Sequence, residues 1–262
     1  MSSLEELLGE FHSDLKRAEH LLNLIKEFRA FAGSVTSPAK QGEGNHIWPE
    51  AIKLAEVAPL VRTDLPVLSG SILLYICGRF EYFVREVVVL IADEMASKAS
   101  RYGDLPEKLR ENLKNKTLEI SQNPGRFGYS PAGAEQLIIS LAQNLQPNGS
   151  PSAVTISSRV LTITESNMNP RTLTDMLRRV DIKEAWVELG KQARLKSHLS
   201  KSTDKECSAE AQARLERMMK ERNGVAHPTA ETSFPDPDQV LEACMFLTVL
   251  SHVIVDITYI PH

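Results

Sequence analysis

The fold is decided by one stretch of sequence, SILLYICGRFEYFVREVVVLIADEMAS at residues 71–97. Its apolar side chains recur every three or four residues over about seven turns, which is the period of an α-helix. Three successive valines favour a strand locally, but the longer periodicity outweighs them. Several charged residues lie inside the stretch, at a cost that a bilayer span would rarely tolerate. The stretch therefore predicts a buried core helix, with no membrane as partner.

The sequence on both sides of this stretch also has a helical pattern. Apolar residues at three- and four-residue steps predict an N-terminal amphipathic helix that ends at Gly33. Residues 240–260 predict a second buried helix, with Asp236 as its N-cap and Pro237 in its first position. Only residues 154–164, VTISSRVLTIT, are rich in β-branched residues, and a lone strand there would have no partner. The sequence predicts an all-α protein.

Breaks in the helical pattern suggest how the chain is divided. Residues 34–50 are polar and rich in Gly, Ser and Pro, which is typical of a linker or a long loop. Shorter breaks are expected near Pro59 and at residues 66–70. We therefore predict an N-terminal helix and linker at residues 1–50, followed by one helical domain at residues 51–262.

The composition excludes several classes of function. A formal net charge of -4 and a pI near 6.0 argue against a protein that coats nucleic acid nonspecifically. Cys77, Cys207 and Cys244 lack the spacing of a disulfide framework or a zinc site, and a reducing cytoplasm fits them best. The histidines show no metal-ligand spacing, and the glycine motifs that bind nucleotide phosphates are absent. We expect a cytoplasmic protein without a metal or other cofactor.

The residues best suited to chemistry lie in the segment ERNGVAHP at 221–228. The apolar row of the preceding helix continues to Arg222, so we expect its guanidinium to meet an anion or to open onto a site. In an unbroken helix Arg222 and His227 would point about 140° apart. Asn223 and Gly224 form a common helix-ending pair, and an unwound turn at Gly224 would bring the two side chains together.

This pair of residue types suits the cleavage of RNA without a metal. A histidine titrates near neutrality and can take the proton of a ribose 2′-hydroxyl or give one to the leaving oxygen. An arginine offers a bidentate fork to the phosphate. The same spacing also arises by chance in proteins where both residues are structural, so the residues alone leave both interpretations open.

The context of the motif resembles the HEPN superfamily (higher eukaryotes and prokaryotes nucleotide-binding domains). Arg-Asn-x-x-Ala-His at the end of a helix, followed by a loop and an apolar last helix, resembles the R-x4-6-H motif of that superfamily. Residues 70–84 are similar to the buried helix with Phe-Glu that faces the motif. The resemblance covers about residues 63–260, and bacterial HEPN-like nucleases near toxin, restriction and defence loci look closest. Pro228 departs from the pattern, since glycine is common there.

The resemblance implies a function as well as a fold. It implies a HEPN-like helical bundle, here with an extra N-terminal helix, that acts as an endoribonuclease toxin or antiphage effector on RNA. Arg222 and His227 inherit the catalytic roles, and Asn223 matches the polar residue that commonly follows the arginine. A homodimer with two motifs along one cleft is implied, and an antitoxin or regulatory protein is a further candidate partner. The rival interpretation is a non-catalytic HEPN module for dimerisation or RNA binding, in which Arg222 belongs to a buried ion pair.

Two charged residues of the core helix complete the set of candidates. Glu81 shares a helical face with apolar residues, so its carboxylate should be half-buried. It either accepts from Arg222 or orients His227, or it forms an ordinary i,i+4 pair with Arg85. We expect Arg79 to be solvated.

Overall fold

A computed structural model of the protein describes residues 3–34, 49–146, 154–164, 166–229 and 231–259. These residues form ten α-helices, three short 3₁₀ helices and no strands, which confirms the predicted all-α class. The α-helices, in chain order, are α1 Ser3–Ser34, α2 Pro49–Val61, α3 Leu65–Lys98, α4 Glu107–Gln122, α5 Pro131–Asn144, α6 Pro170–Arg178, α7 Ala185–Lys191, α8 Ala193–Leu199, α9 Asp204–Ala226 and α10 Pro237–Thr258.

The chain divides into two compact units. The first comprises residues 1–11, 80–216 and 249–262, and the second comprises residues 12–79 and 217–248. Helices α1, α3, α9 and α10 contribute residues to both. The predicted linker falls largely on residues 35–48, outside the described residues, so the domain boundary near residue 50 stays a prediction.

The core of the first unit contains a cluster of three phenylalanines. The ring of Phe11 lies 5.0 Å from that of Phe83 and 6.0 Å from that of Phe80. All three side chains are completely buried. Aromatic pairs at such distances stabilise by about 0.5 to 1.5 kcal/mol beyond their burial. The cluster holds the start of α1 against the middle of α3.

The β-branched segment at residues 154–164 forms no strand. Its centre, Ser158–Thr162, is a 3₁₀ helix. Nη1 of Arg179 donates to the carbonyl oxygens of Leu161, at 2.6 Å, and Ile163, at 2.7 Å. Burial lowers the pKa of Arg179. The carbonyls that a lone strand would have left unpaired therefore find a side-chain donor.

One of the two shorter predicted breaks is wrong. Helix α3 begins at Leu65, because Pro66 occupies the first turn, where its missing N–H and fixed φ are tolerated. The break predicted near Pro59 occurs two residues later, since Pro59 lies in the last turn of α2, which ends at Val61.

The predicted start of α10 is confirmed. Oδ1 of Asp236 accepts from the backbone N–H of Asp238 at 3.1 Å, and Oε1 of Gln239 accepts from the backbone N–H of Asp236 at 2.8 Å. These two bonds form a reciprocal capping box around Pro237.

Helices α3 and α10 are long and apolar enough to cross a membrane by length and composition alone. Half of the most apolar window of α3 and 56% of that of α10 are nevertheless buried inside the protein. The side chains of Leu73, Ile76, Leu247 and Leu250 are almost fully buried. This burial is typical of core helices, as the sequence predicts.

Candidate functional site

The motif lies at the end of α9, where the sequence left open a continuous helix or an unwound turn. Helix α9 runs through Asn223 and Gly224 and ends at Ala226. The backbone N–H of His227 still donates to the carbonyl of Asn223 at 3.0 Å. The helix is therefore continuous, and the turn that Gly224 would permit is not formed. An Asn-Gly pair tolerates a left-handed cap without requiring one, and Pro228 ends the helix instead by disfavouring α conformation at His227.

The continuous helix sets the directions of the two candidate catalytic side chains. A step of five residues at 3.6 residues per turn rotates the side chain by about 140°. Arg222 and His227 therefore leave α9 on different sides.

The end of α9 is held against the start of α3. A Cβ atom added to Gly70 would lie 3.1 Å from Cγ1 of Val225, so the absence of a side chain at position 70 permits the close approach. Val225 is buried and lies between Arg222 and His227 in sequence. Packing at Gly70 thus positions the backbone that carries both candidate residues.

Arg222 is half-buried. Its Nη1 donates to Oδ1 of Asn223 at 3.2 Å. Its Nε is buried and has no hydrogen-bond partner among the residues that the structure describes. Within that part of the chain, no carboxylate lies close enough to form an ion pair with the guanidinium. The arginine therefore keeps donors available for an anion.

Asn223 connects the two candidate catalytic residues. Its side-chain oxygen accepts from Arg222, and its backbone carbonyl accepts from the N–H of His227. Both Asn223 and His227 are exposed. The imidazole of His227 is therefore accessible to a substrate, while the arginine is oriented by its neighbour.

Glu81 and the motif belong to different compact units. It belongs to the first unit, whereas Arg222, Asn223 and His227 belong to the second. Its Oε2 lies 3.9 Å from Nη2 of Arg85, which is the i,i+4 pair expected on a helix. Its Oε1 is buried and has no hydrogen-bond partner in the described ranges. A supporting role for Glu81 stays a prediction.

Arg79, which we expected to be solvated, is only partly exposed and forms an ion pair. Its Nε donates to Oδ2 of Asp14 at 2.5 Å. Oδ1 of the same carboxylate accepts from the hydroxyl of Tyr75 at 2.9 Å and from Nη1 of Arg17 at 3.0 Å. Burial and then the bond to Asp14 raise the pKa of Tyr75. The buried Asp14 thereby ties α1 to α3.

The sequence contains a signal for the buried carboxylate of Asp14. Asp14 follows Phe11 by three residues and precedes Ala18 by four, so it lies on the apolar face of α1. A carboxylate on a core-facing row needs partners, just as the guanidinium of Arg222 does.

A second set of ion pairs ties α1 to the start of α10. Nη1 of Arg29 lies 2.6 Å from Oδ2 of Asp236, and Nζ of Lys26 lies 2.5 Å from Oδ1 of Asp238. The hydrogen bond from Arg29 lowers the pKa of Asp236. These contacts hold α1 to the loop and helix that follow the motif.

No candidate metal centre occurs in the described part of the chain, where three or more His, Cys, Asp or Glu residues nowhere come together to hold an ion. All three cysteines are buried, and burial raises the pKa of the Cys244 thiol to about 12. That thiol is protonated at neutral pH and is a poor nucleophile.

Comparison with known protein families gives a match to most of the chain. Residues 50–259 match the family described as RiboL-PSP-HEPN. The match covers α2 through α10, including the motif at residues 221–228, and leaves out α1. No curated protein and no solved structure matches the chain significantly.

Proposed function

Because the chain belongs to the RiboL-PSP-HEPN family, within the HEPN superfamily, we propose that it is a metal-independent endoribonuclease. HEPN families are generally of ribonuclease type, which makes a nuclease or RNA-related module the expected class. The more specific proposal, that this protein itself cleaves RNA, rests on the chemistry of the residues at the end of α9.

The proposal rests mainly on the environment of the Arg222 guanidinium. Its guanidinium is half-buried and has no carboxylate partner among the described residues. Burying part of a cation without a counter-charge is costly, so such an arginine is typical of a site that receives an anion. A phosphate can accept two parallel hydrogen bonds from the guanidinium. The accessible His227 supplies a group that can transfer a proton.

The proposed reaction needs only these groups and the RNA itself. A base takes the proton of a ribose 2′-hydroxyl, and the 2′-oxygen attacks the adjacent phosphorus. The bond from phosphorus to the 5′-oxygen breaks, and an acid protonates that oxygen. The products are a 2′,3′-cyclic phosphate and a 5′-hydroxyl. His227 acts as the base or the acid, and Arg222 stabilises the charge that grows on the phosphate oxygens.

The directions of the side chains support a homodimer. Five residues along a regular helix correspond to a rotation of about 140°, so two motifs along one cleft would let the arginine of one copy face the histidine of the other. In the proposed dimer, each phosphate meets the arginine of one copy and the histidine of the other.

The decisive experiment compares His227→Ala with His20→Ala on a labelled RNA. Both histidines are exposed, so both variants should melt like the wild type, within about 0.5 kcal/mol. Loss of the general acid or base should slow cleavage by roughly 10² to 10⁴-fold in His227→Ala only. Cleavage by His227→Ala at the wild-type rate would end the proposal.

Arg222→Ala separates the enzyme from the non-catalytic rival. A structural arginine in a buried ion pair would cost about 3 to 5 kcal/mol when removed. Because the described residues give Arg222 no such partner, we expect a small change in stability together with lost cleavage. A large loss of stability would favour the non-catalytic module.

A role as a toxin or antiphage effector follows as part of the same proposal. Expression of the wild type should then arrest growth, and expression of His227→Ala should not. A partner that restrains the enzyme, such as an antitoxin, would relieve the arrest when it is expressed together with the wild type.

A further inference from the structure

The segment at residues 191–205, KQARLKSHLSKSTDK, concentrates positive charge in an otherwise acidic chain. It contains five lysines and arginines and one acidic residue, whereas the whole chain has a net charge of -4. The segment comprises α8, the turn after it and the start of α9. A local basic excess of this kind attracts polyanions. We define the basic surface by the five cations of the segment, Lys191, Arg194, Lys196, Lys201 and Lys205.

Three contacts fold the segment onto itself. A Cβ atom added to Gly190, near the end of α7, would lie 2.5 Å from the carbonyl oxygen of Asp204, so the two backbones touch. Nζ of Lys196 lies 2.5 Å from Oδ1 of the same aspartate. The backbone N–H of Lys201 donates to the carbonyl of Lys196 at 3.0 Å. The lysines that follow Gly190 and Asp204 in sequence therefore start from neighbouring points, and the basic surface is continuous in space as well as in sequence.

Three of the five cations keep their charge available. Arg194, Lys201 and Lys205 form no ion pair with any residue that the structure describes. Lysines on other helices, such as Lys98 and Lys108, pair instead with carboxylates three or four residues away. Helix α8 has no acidic residue that could do the same. A partner with negative charge can therefore use these three side chains.

Three carboxylates border the basic surface without cancelling its charge, and they are Glu188, Asp204 and Glu206. Oε1 of Glu188 lies 2.6 Å from Nζ of Lys191. Oε2 of Glu206 accepts from the hydroxyl of Thr203 at 2.8 Å. Since five cations face three carboxylates, the surface stays positive with these neighbours included.

Titratable groups beside the basic surface are consistent with a positive potential. Burial lowers the pKa of His252 on α10, and Arg194 lowers it further, by more than Asp256 raises it. Burial raises the pKa of Cys207 on α9, and the charge that acts most strongly on this thiol is that of Lys196. All of these residues belong to the first unit. The cations of the surface thus act on their surroundings more strongly than the carboxylates do.

The uncharged residues of the segment favour a phosphate backbone as the partner. Exposed hydroxyls lie between the cations, at Ser197, Ser200, Ser202 and Thr203. Lysine, arginine, serine and threonine side chains are the usual donors to the phosphates of nucleic acids. A surface that binds anionic membranes would add exposed apolar side chains. The two leucines of the segment, Leu195 and Leu199, are instead buried.

We propose that the basic surface binds the phosphate backbone of RNA. The segment contains no aromatic residue that could stack on a base, so the contacts give affinity without reading the base sequence. The choice of RNA as the nucleic acid rests on the proposed function, whereas the binding of a phosphate backbone does not. The basic surface belongs to the first unit and the motif to the second, so separate substitutions test binding and cleavage.

Binding is tested with Lys201→Gln/Lys205→Gln on a labelled single-stranded 2′-O-methyl RNA. This probe lacks the free 2′-hydroxyl that the proposed cleavage needs, so it stays intact with the wild-type protein. The Kd of the double variant should rise by about tenfold or more at about 0.1 M salt. The slope of log K against log salt concentration should become shallower by about 1.4, since each lost contact to a single strand removes about 0.7.

The matched control is Lys53→Gln/Lys114→Gln. It removes the same two charges from exposed positions on α2 and α4, where neither lysine has an ion pair in the described part of the chain. Its salt slope should equal that of the wild type, because only cations that meet phosphates release counterions. Thermal melts should show both double variants folded. Lys205→Gln alone, at an exposed position, should still reduce the slope by about 0.7.

Two results would overturn the basic surface as an RNA-binding site. One is an equal loss of RNA affinity in the two double variants. The other is a preference of the wild type for vesicles that contain phosphatidylserine over the RNA, with vesicle binding lost in Lys201→Gln/Lys205→Gln.

Cleavage separates this inference from the proposed function. When a cleavable RNA is the substrate, Lys201→Gln/Lys205→Gln should raise KM more than it lowers kcat, because it removes binding that the substrate and the transition state share. If the wild type and His227→Ala cleave that RNA equally, the proposed function fails. Binding of the 2′-O-methyl RNA then still decides whether the basic surface holds a phosphate backbone.

Discussion

Gly70 lies directly against the ring of Phe234: a Cβ atom at position 70 would come within 2.7 Å of Cδ1 of that ring. Side chains do not approach so closely, so Gly70→Ala must displace the ring or the helix. Overpacking of this kind costs about 1 to 3 kcal/mol, partly offset by the gain of about 1 kcal/mol from replacing a helical glycine. We expect a net loss of stability in urea unfolding and slower RNA cleavage, since Val225 of the motif helix packs at the same place.

Gly78→Ala is the matched control on the same helix. A Cβ atom there would meet nothing within 4 Å, and the residue is exposed. It should stabilise the protein by up to about 1 kcal/mol and leave cleavage unchanged. Equal effects of the two substitutions would show that packing at Gly70 does not matter.

Gly224→Ala tests whether the motif helix must unwind. Gly224 is helical, and a Cβ atom at that position would also meet nothing within 4 Å. The alanine should therefore stabilise the end of α9 by up to about 1 kcal/mol and leave cleavage at the wild-type rate. Lost cleavage in a protein of normal stability would instead indicate that the turn opens when RNA binds.

The motif helix also shows what the sequence can and cannot predict. The apolar period predicted the helices and their buried faces, because periodicity reports on burial directly. For the end of α9 the sequence left two alternatives open, since Gly224 permits a left-handed residue while Pro228 disfavours helix at His227, and the helix continues to Ala226. A residue that permits a conformation is weaker evidence than one that excludes it.

The contacts of Asp14 could not be predicted by pattern alone. Its acceptor atoms meet Tyr75 and Arg79, which are 61 and 65 residues further along the chain. A helical period identifies the face on which Asp14 lies, but not which element packs there. The same limit applies to Glu81, whose predicted partners lie in the other unit.

Asp14→Ala tests how much this buried carboxylate contributes to the stability of the protein. Its side chain is 9% exposed, and its removal takes one acceptor away from each of Arg79 and Tyr75. Hydrogen bonds to charged groups contribute about 1.5 to 3 kcal/mol, and partial hydration of Arg79 should keep the loss near about 2 kcal/mol. Arg17→Ala removes a 70% exposed partner of the same carboxylate and should cost less than about 1 kcal/mol. Equal losses in denaturant unfolding would contradict the assignment of Asp14 as a buried anchor.

Asp236→Asn should change how stability depends on pH. The hydrogen bond from Arg29 lowers the pKa of Asp236 in the folded protein, so its stabilising effect is complete above the unfolded pKa of about 3.9 and is lost as the pH falls through the folded pKa. Asparagine keeps the N-cap and removes only the charge. Since both partners are partly exposed, we expect the free energies of unfolding of wild type and variant to differ by less than about 1 kcal/mol. This difference should be constant above about pH 5 and should shrink below about pH 4. In an Arg29→Gln background the difference should lose this acid dependence. If the acid dependence persists in the Arg29→Gln background, the bond from Arg29 is not its cause.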